Sequence, residues 1–257
     1  MKDTKLSLNT DMGRTSRWKY VYCIALSKMN QDFGTVGIND EEVYTIHFKD
    51  LAALVSSSTE KLYEIVDHGI AHHKVIETAA ERFTIVPMAF GQVATEEDVK
   101  AFLSSKYDDL KDIIDRLDGK VELGLKATWK MQAALSDIAV TSDRVRELKA
   151  EIGSKQENDT YSARIELGRI VREELEERGK RIASEIYQTL LPLAADSKIN
   201  DPLRAEMILN SAFLVESARE EEFDKTVETI EGRFGDKISF KYVSSPPYDF
   251  VDLNIGE

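Results

Sequence analysis

The chain has 257 residues, 42% of them hydrophobic and 32% charged, with a formal net charge of −13. That is apolar material for one large core or two modest ones, and the acidic balance argues against a general nucleic-acid binder, which needs a basic surface. No apolar run approaches the roughly 18 residues that cross a bilayer, and the N-terminus MKDTKLSLNTDMGRTSRWK has no secretory apolar core.

Residues 1–17 read as a disordered tail. Tyr20 to Leu26 is a near-continuous apolar run, as expected for a central strand covered on both faces. It holds Cys23, the single cysteine, which forms no intrachain disulfide, reads as a small core hydrophobe and suits a reducing cytoplasm. Asn30 to Asp40 is a loop. Glu42–Phe48 and Leu51–Ser56, separated by Lys49-Asp50, read as a hairpin, although Lys-Asp is not a favoured two-residue turn. Thr59 then caps a helix whose apolar face is Leu62, Ile65, Val66, Ile70, Val75, Ile76 and Ala80. This helix carries His68, His72 and His73. The 68/72 pair has metal-chelating i, i+4 spacing, but the stretch is HGIAH rather than HExxH and no third ligand is evident. Structural or surface histidines, with no metal, are the expectation.

Thr84 to Met88 is a short strand, and Thr95 sits at a helix N-cap followed by Glu96, Glu97 and Asp98. Val99, Phe102, Leu103, Tyr107, Leu110, Ile113, Ile114 and Leu117 give that helix one apolar face up to Asp118-Gly119. Val121 to Trp129 alternates as a half-buried strand. Met131 to Ile152 is helical, and GSKQEND (153–159) is the best hinge. Tyr161 to Leu191 reads as one helix of about 45 Å, ended by Pro192, with Tyr161, Ile165, Gly168, Val171, Leu175, Ile182, Ile186 and Leu190 on one stripe. Its EELEERGKR segment should face water. The last unit reads βαβ: strand Glu206–Val215, capping box Ser217–Glu220, helix to Gly235, strand Lys237–Val243. In the final SSPPYDFVDLNIGE, two prolines force an extended path. Tyr248, Phe250, Val251 and Leu253 can then pack on this chain's own core or on a partner.

The fold class is α+β with two domains: an N-terminal ferredoxin-like sheet with helices on one face, and long C-terminal helices with a smaller βαβ-containing sheet. The expected division is 1–17 tail, 18–130 first domain, 131–191 helical segment, 192–244 C-terminal α+β unit packed on that segment, and 245–257 tail. No phosphate-binding glycine loop, nucleophile elbow or kinase signature is present. The paired carboxylates fall on polar helix faces or in first turns, where they solvate or complement the dipole. No catalytic residue, cofactor site or metal site is expected.

YVYCIAL, LAALVS, the His-bearing helix, TIVPMAFGQV, LDGKVELGLKATW, Leu167-Gly168-Arg169, ILNSAFLVESAREEEFDKTVETI and PPYDFV together resemble the gas vesicle protein F/L family, the F type preferred. The resemblance covers roughly residues 18–253. One departure is Ala89, where the family's PM-x-FG segment usually carries a basic residue; Arg82 is the candidate to supply that contact. The resemblance implies a non-enzymatic, cytoplasmic, vesicle-associated component with two α+β domains. It implies binding to the small hydrophobic shell protein and to other accessory proteins, with no nucleic acid and no membrane. Two alternatives are a ferredoxin-like ligand-binding regulatory module and an enzyme with dispersed residues. The first predicts convergent polar groups in a pocket, the second a cleft with strongly perturbed ionisable groups.

Overall fold

The run WKYVYCIAL forms strand β1 (Trp18–Leu26), with seven of its nine residues buried, in the computed structural model, which describes residues 17–30, 33–59, 66–154 and 160–255. β2 (Tyr44–Phe48) and β3 (Leu51–Ser58) make the expected hairpin, Phe48 opposite Leu51. Its turn works because Lys49 adopts φ 54°, a left-handed conformation that non-glycine residues seldom take. The Asp50 carboxylate accepts from Tyr107 Oη at 2.6 Å and Lys111 Nζ at 3.3 Å, which fixes the turn from outside.

Helix α1 (Val66–Ala80) leads to β4 (Ile85–Pro87) and then β5 (Val93–Thr95). The sheet order is β2-β3-β1-β4, with β5 also on β1, and every pairing is antiparallel. β4 pairs with Cys23–Ala25 and β5 with Trp18–Tyr20. Five residues, Met88 to Gln92, therefore stand opposite only Val21 and Tyr22. This is a large bulge in an edge strand, and bulges re-aim a chain and end pairing. Thr95 is the N-cap of α2 (Glu96–Ser105), with a complete capping box to Asp98. The helix expected to run on to Leu117 breaks at Lys106 (φ −102°, ψ 17°) and restarts as α3 (Tyr107–Leu117).

Both faces of this sheet are covered. Val21, Ile24, Ala53, Val55 and Val86 pack against Val99, Phe102 and Leu103 of α2 and Leu110 and Ile114 of α3. Tyr20, Tyr22, Cys23, Ala25 and Leu54 pack against Val75, Ile76 and Ala79 of α1 and against Phe33 and Ile38 of the loop. The α+β class stands, but the helices lie on two faces and not one. YVYCIAL is uniformly apolar because both sides of β1 are inside. The face of α1 is also shifted: His72 and Ala79 are buried, while Val66 and Ile70 are 80% and 61% exposed. Leu62 and Ile65 lie outside the described residues, as do residues 1–16 and 155–159.

The second sheet contains β6 (Lys120–Trp129), β7 (Asp196–Ile199), β8 (Met207–Glu216) and β9 (Ile238–Ser245), in the order β7-β8-β6-β9. Between β6 and β7 run α4 (Met131–Thr141), α5 (Asp143–Ser154) and α6 (Tyr161–Leu190), and α7 (Glu220–Phe234) joins β8 to β9. Numbered within each sheet, both read 2-3-1-4, the ferredoxin-like order. Among the described residues, a loop with one 3-10 turn (Ile38–Asp40) stands in the first sheet where the second has helices α4, α5 and α6.

The chain divides into two compact units: one takes residues up to Val121 and from Ser245 on, the other is Glu122–Ser244. The boundary expected after residue 130 is thus displaced, and β6 is an interior strand of the second sheet. Its alternating pattern marks a strand but not the sheet it joins. The deciding bonds are nonlocal: Trp129 N–H to Glu206 C=O and Lys130 N–H to Lys237 C=O. β8 and β9, read as one βαβ unit, are separated by β6. Ser217 does not cap α7; residues Ser217–Arg219 form a 3-10 turn and the helix starts at Glu220. The helix expected over 131–152 breaks at Ser142, whose Oγ donates to Glu174 at 2.8 Å. Gly153, expected in a hinge, lies inside α5.

Candidate interaction surfaces

The bulge Met88–Gln92 is gripped from inside by aromatic and imidazole side chains. Gly91 N–H donates to Tyr20 Oη at 3.0 Å, and Tyr20 Oη lies 2.9 Å from His72 Nδ1. His72 also bonds the Met88 backbone, so Nε2–H donates to the carbonyl and Nδ1 accepts the tyrosine proton. Tyr22 Oη meets Ser56 Oγ at 2.8 Å and accepts from Ile38 N–H at 2.8 Å. The His72 ring stacks near Tyr22 at 5.9 Å and meets Phe90 edge-on at 5.6 Å. Burial, with the neighbouring His73 adding to it, pushes the His72 pKa down to about 4; the Met88 bond offsets part of this. Burial pushes the Tyr20 and Tyr22 phenols and the Cys23 thiol up. These groups are neutral at pH 7 and engaged with one another, and Cys23 is completely buried.

From outside, the same bulge holds the C-terminal segment. Gln92 Nε2 donates to Asn254 Oδ1 at 3.2 Å, and Gln92 Oε1 accepts from Ile255 N–H at 2.9 Å. Arg116 of α3 donates to the Phe250 carbonyl at 2.6 Å, and Tyr248 Oη lies 2.8 Å from His73 Nδ1 on α1. Tyr248 packs on the α1 side of the sheet, and Val251, Leu253 and Ile255 pack on the α2/α3 side. The tail therefore wraps the interrupted β4/β5 edge. Covering an edge is one way proteins keep unpaired strand groups from recruiting other chains.

Of the four tail residues singled out from sequence, Phe250 is buried, while Tyr248, Val251 and Leu253 are half-buried. All four rest on the chain's own first unit. The histidines diverge: His72 is inside, His73 faces Tyr248, and His68 Nε2 lies 3.1 Å from Asn39 Oδ1. Ala89 is exposed, and Arg82 lies over the Phe33 ring at 5.3 Å. Sequence reasoning missed Gln92, Arg116 and Tyr20. The signal in the sequence that could have found this place is Gly91, which takes φ +92°.

In the second unit, Arg178 of α6 joins Glu174 at 2.9 Å and Asp137 of α4 at 3.0 Å, and Lys237 reaches Asp137 at 2.7 Å. Ser142 donates to Glu174, and this bond is the main cause of that carboxyl's lowered pKa. Ile138, Val145 and Ile170 form a small core between α4, α5 and α6. The C-terminal half of α6 lies on the sheet: a Cβ on Gly179 would sit 3.0 Å from Ile208 Cγ2, and Tyr187 packs on Phe213. The N-terminal half extends past it, with Tyr161 75% and Ile165 58% exposed.

Two helix-backed antiparallel sheets of ferredoxin-like order, one edge closed by the chain's own tail, define a two-unit α+β protein. No helix among the described residues is long and apolar enough to cross a membrane. The chain belongs to the gas vesicle synthesis protein GvpL/GvpF family, whose sequence model matches residues 18–252. It is 28% identical over 240 residues to gas vesicle protein F of Microcystis aeruginosa (strain PCC 7806), covering 91% of this chain and 98% of that one. It is 24% identical over 256 residues to gas vesicle protein L1 of Halobacterium salinarum (strain ATCC 700922 / JCM 11081 / NRC-1), covering 92% and 91%. The crystal structure of GvpF from Anabaena sp. PCC7120 matches with a TM-score of 0.80 at 25% identity, over 93% of this chain and 100% of that one. Membership supports an accessory or structural role in gas vesicles.

Proposed function

We propose that this chain binds the small hydrophobic shell protein of gas vesicles in the cytoplasm. There it assists nucleation and assembly and keeps the shell protein from aggregating, together with other accessory proteins. The observation that carries this reading is the family match across 18–252, which takes in both units. The physics agrees. A subunit with a large apolar face aggregates in water unless a soluble partner covers it, and a net charge of −13 keeps such a partner dispersed.

Tyr248, Val251 and Leu253 contribute to that contact through the half-exposed flank of the tail, with buried Phe250 anchoring the segment beneath them, by surface packing or by strand addition at the edge the tail covers. The test is co-expression of the full chain with the shell protein, followed by affinity capture and a count of buoyant vesicles in cells lacking this gene. Shell protein in the captured fraction and loss of vesicles are the expected results; normal vesicles without the gene would end the reading. Deleting residues 246–257 isolates the tail, and undiminished capture would remove it from the contact.

A further inference from the structure

The tail is held in a different way from the rest of the first unit. Residues 246–255 contain no strand, only the 3-10 turn Tyr248–Phe250, so no ladder joins them to β4 or β5. Side chains from three separate elements hold them instead: His73 of α1 at the Tyr248 hydroxyl, Gln92 of the bulge at Asn254 and Ile255, and Arg116 of α3 at the Phe250 carbonyl. The two faces of β1 have their own cover. Val21 and Ile24 pack on α2 and α3, and Tyr20, Tyr22 and Cys23 pack on α1. Tyr248, Val251, Leu253 and Ile255 join those clusters only as half-buried additions.

Release of such a segment is local. It breaks side-chain ties and no ladder, and segments held in this way open at the low end of a protein's stability scale. Release uncovers Phe250, which is 8% exposed when the tail is down, together with the inner flanks of Tyr248, Val251, Leu253 and Ile255. Asp249, Asp252 and Asn254 lie between these five apolar side chains and keep the freed segment hydrated. The ties therefore withhold apolar surface that a hydrophobic partner could bury. Losing one hydrogen bond of this kind changes the released population about fivefold, the equivalent of about 1 kcal/mol. Apparent affinity scales with the population that is competent to bind.

We propose that residues 248–255 form an autoinhibitory strap: closed, it keeps its apolar face on the first unit, and released, it offers that face to the hydrophobic shell protein. This rests on the reading that the chain binds the shell protein through its tail, and it makes the closed tail the weaker binder. The full chain is co-expressed with limiting shell protein, and the captured shell protein is quantified by mass spectrometry. Limited proteolysis after residue 250 reports release, and cooperative urea unfolding reports that each variant is folded. Gln92→Ala and Arg116→Ala, made separately so that either carries the test, should each raise capture about fivefold. Deleting residues 246–257 should move capture the other way, about fivefold or more below the wild type. Wild-type capture by both loosened variants overturns the strap and leaves the binding reading standing, whether or not proteolysis is faster. Capture that is undiminished or raised on deletion also overturns it, because a surface other than the tail is then the binding element. No capture by the wild type or by any variant overturns both the strap and the binding reading.

Discussion

Lowering the pH from 7 to 5 should destabilise the first unit through His72. The imidazole is 3% exposed, and its pKa is pushed down to about 4 from an ordinary 6.5. Between those values the unfolded chain carries a proton that the folded chain refuses. The stabilisation is complete above pH 6.5 and is lost as pH falls toward 4. At pH 5 the loss from this group is about 2 kcal/mol, and it levels off near about 3 kcal/mol below pH 4. The structural reason is that Nδ1 faces the Tyr20 hydroxyl, itself held by Gly91 N–H, while Nε2 is taken by the Met88 backbone. A second proton would place a charge in a site cut off from solvent and force the Tyr20 hydroxyl to turn from donor to acceptor. Urea unfolding of wild type and His72→Gln at pH 7 and pH 5 reads this directly. The variant should be less stable at pH 7 but lose about 2 kcal/mol less on acidification, because carboxylate effects cancel in the comparison. Equal pH dependence in the two proteins, or an imidazole NMR titration of His72 near 6.5, would refute the reasoning.

Other consequences are simpler to test. Phe223 is completely buried between Phe213 at 5.3 Å and Tyr242 at 6.1 Å; Phe223→Ala should cost about 3 to 5 kcal/mol in chemical denaturation. Gly179→Val forces two methyl groups toward Ile208 and Trp129 and should cost about 2 kcal/mol. Gln92→Ala removes the two ties that Gln92 makes to Asn254 and Ile255 and should raise proteolysis after residue 250 while costing about 1 kcal/mol in denaturation. Cys23 is completely buried and its thiol is raised by burial, so thiol reagents should label it only at the rate of unfolding.

Local signals were well written in the sequence. Thr95 before Glu96, Glu97 and Asp98 predicted a cap, and the capping box is there. Asp118-Gly119 predicted a stop, and Gly119 takes φ +67° at that place. The hairpin around Lys49-Asp50 and the strand at Trp129 were legible from hydrophobic patterning. The long helix from Tyr161 was equally clear, but its stripe could not say which half would be covered. Ser217-Ala218-Arg219-Glu220 carried the letters of a capping box without forming one, because a 3-10 turn precedes α7.

The sequence by itself determined the class and order of most elements, since capping, turn chemistry and periodicity act within a few residues, and its motifs carried the family resemblance; the short strands β5 and β7 left no such local signal. Only the tertiary structure decided which sheet β6 joins, that helices cover both faces of the first sheet, and that Tyr248 to Ile255 lie on the β4/β5 edge. Those choices rest on bonds between residues far apart in the chain, such as Trp129 to Glu206 and Gln92 to Ile255. An alternating strand satisfies its local pattern equally well beside any partner, so the partner is chosen by packing.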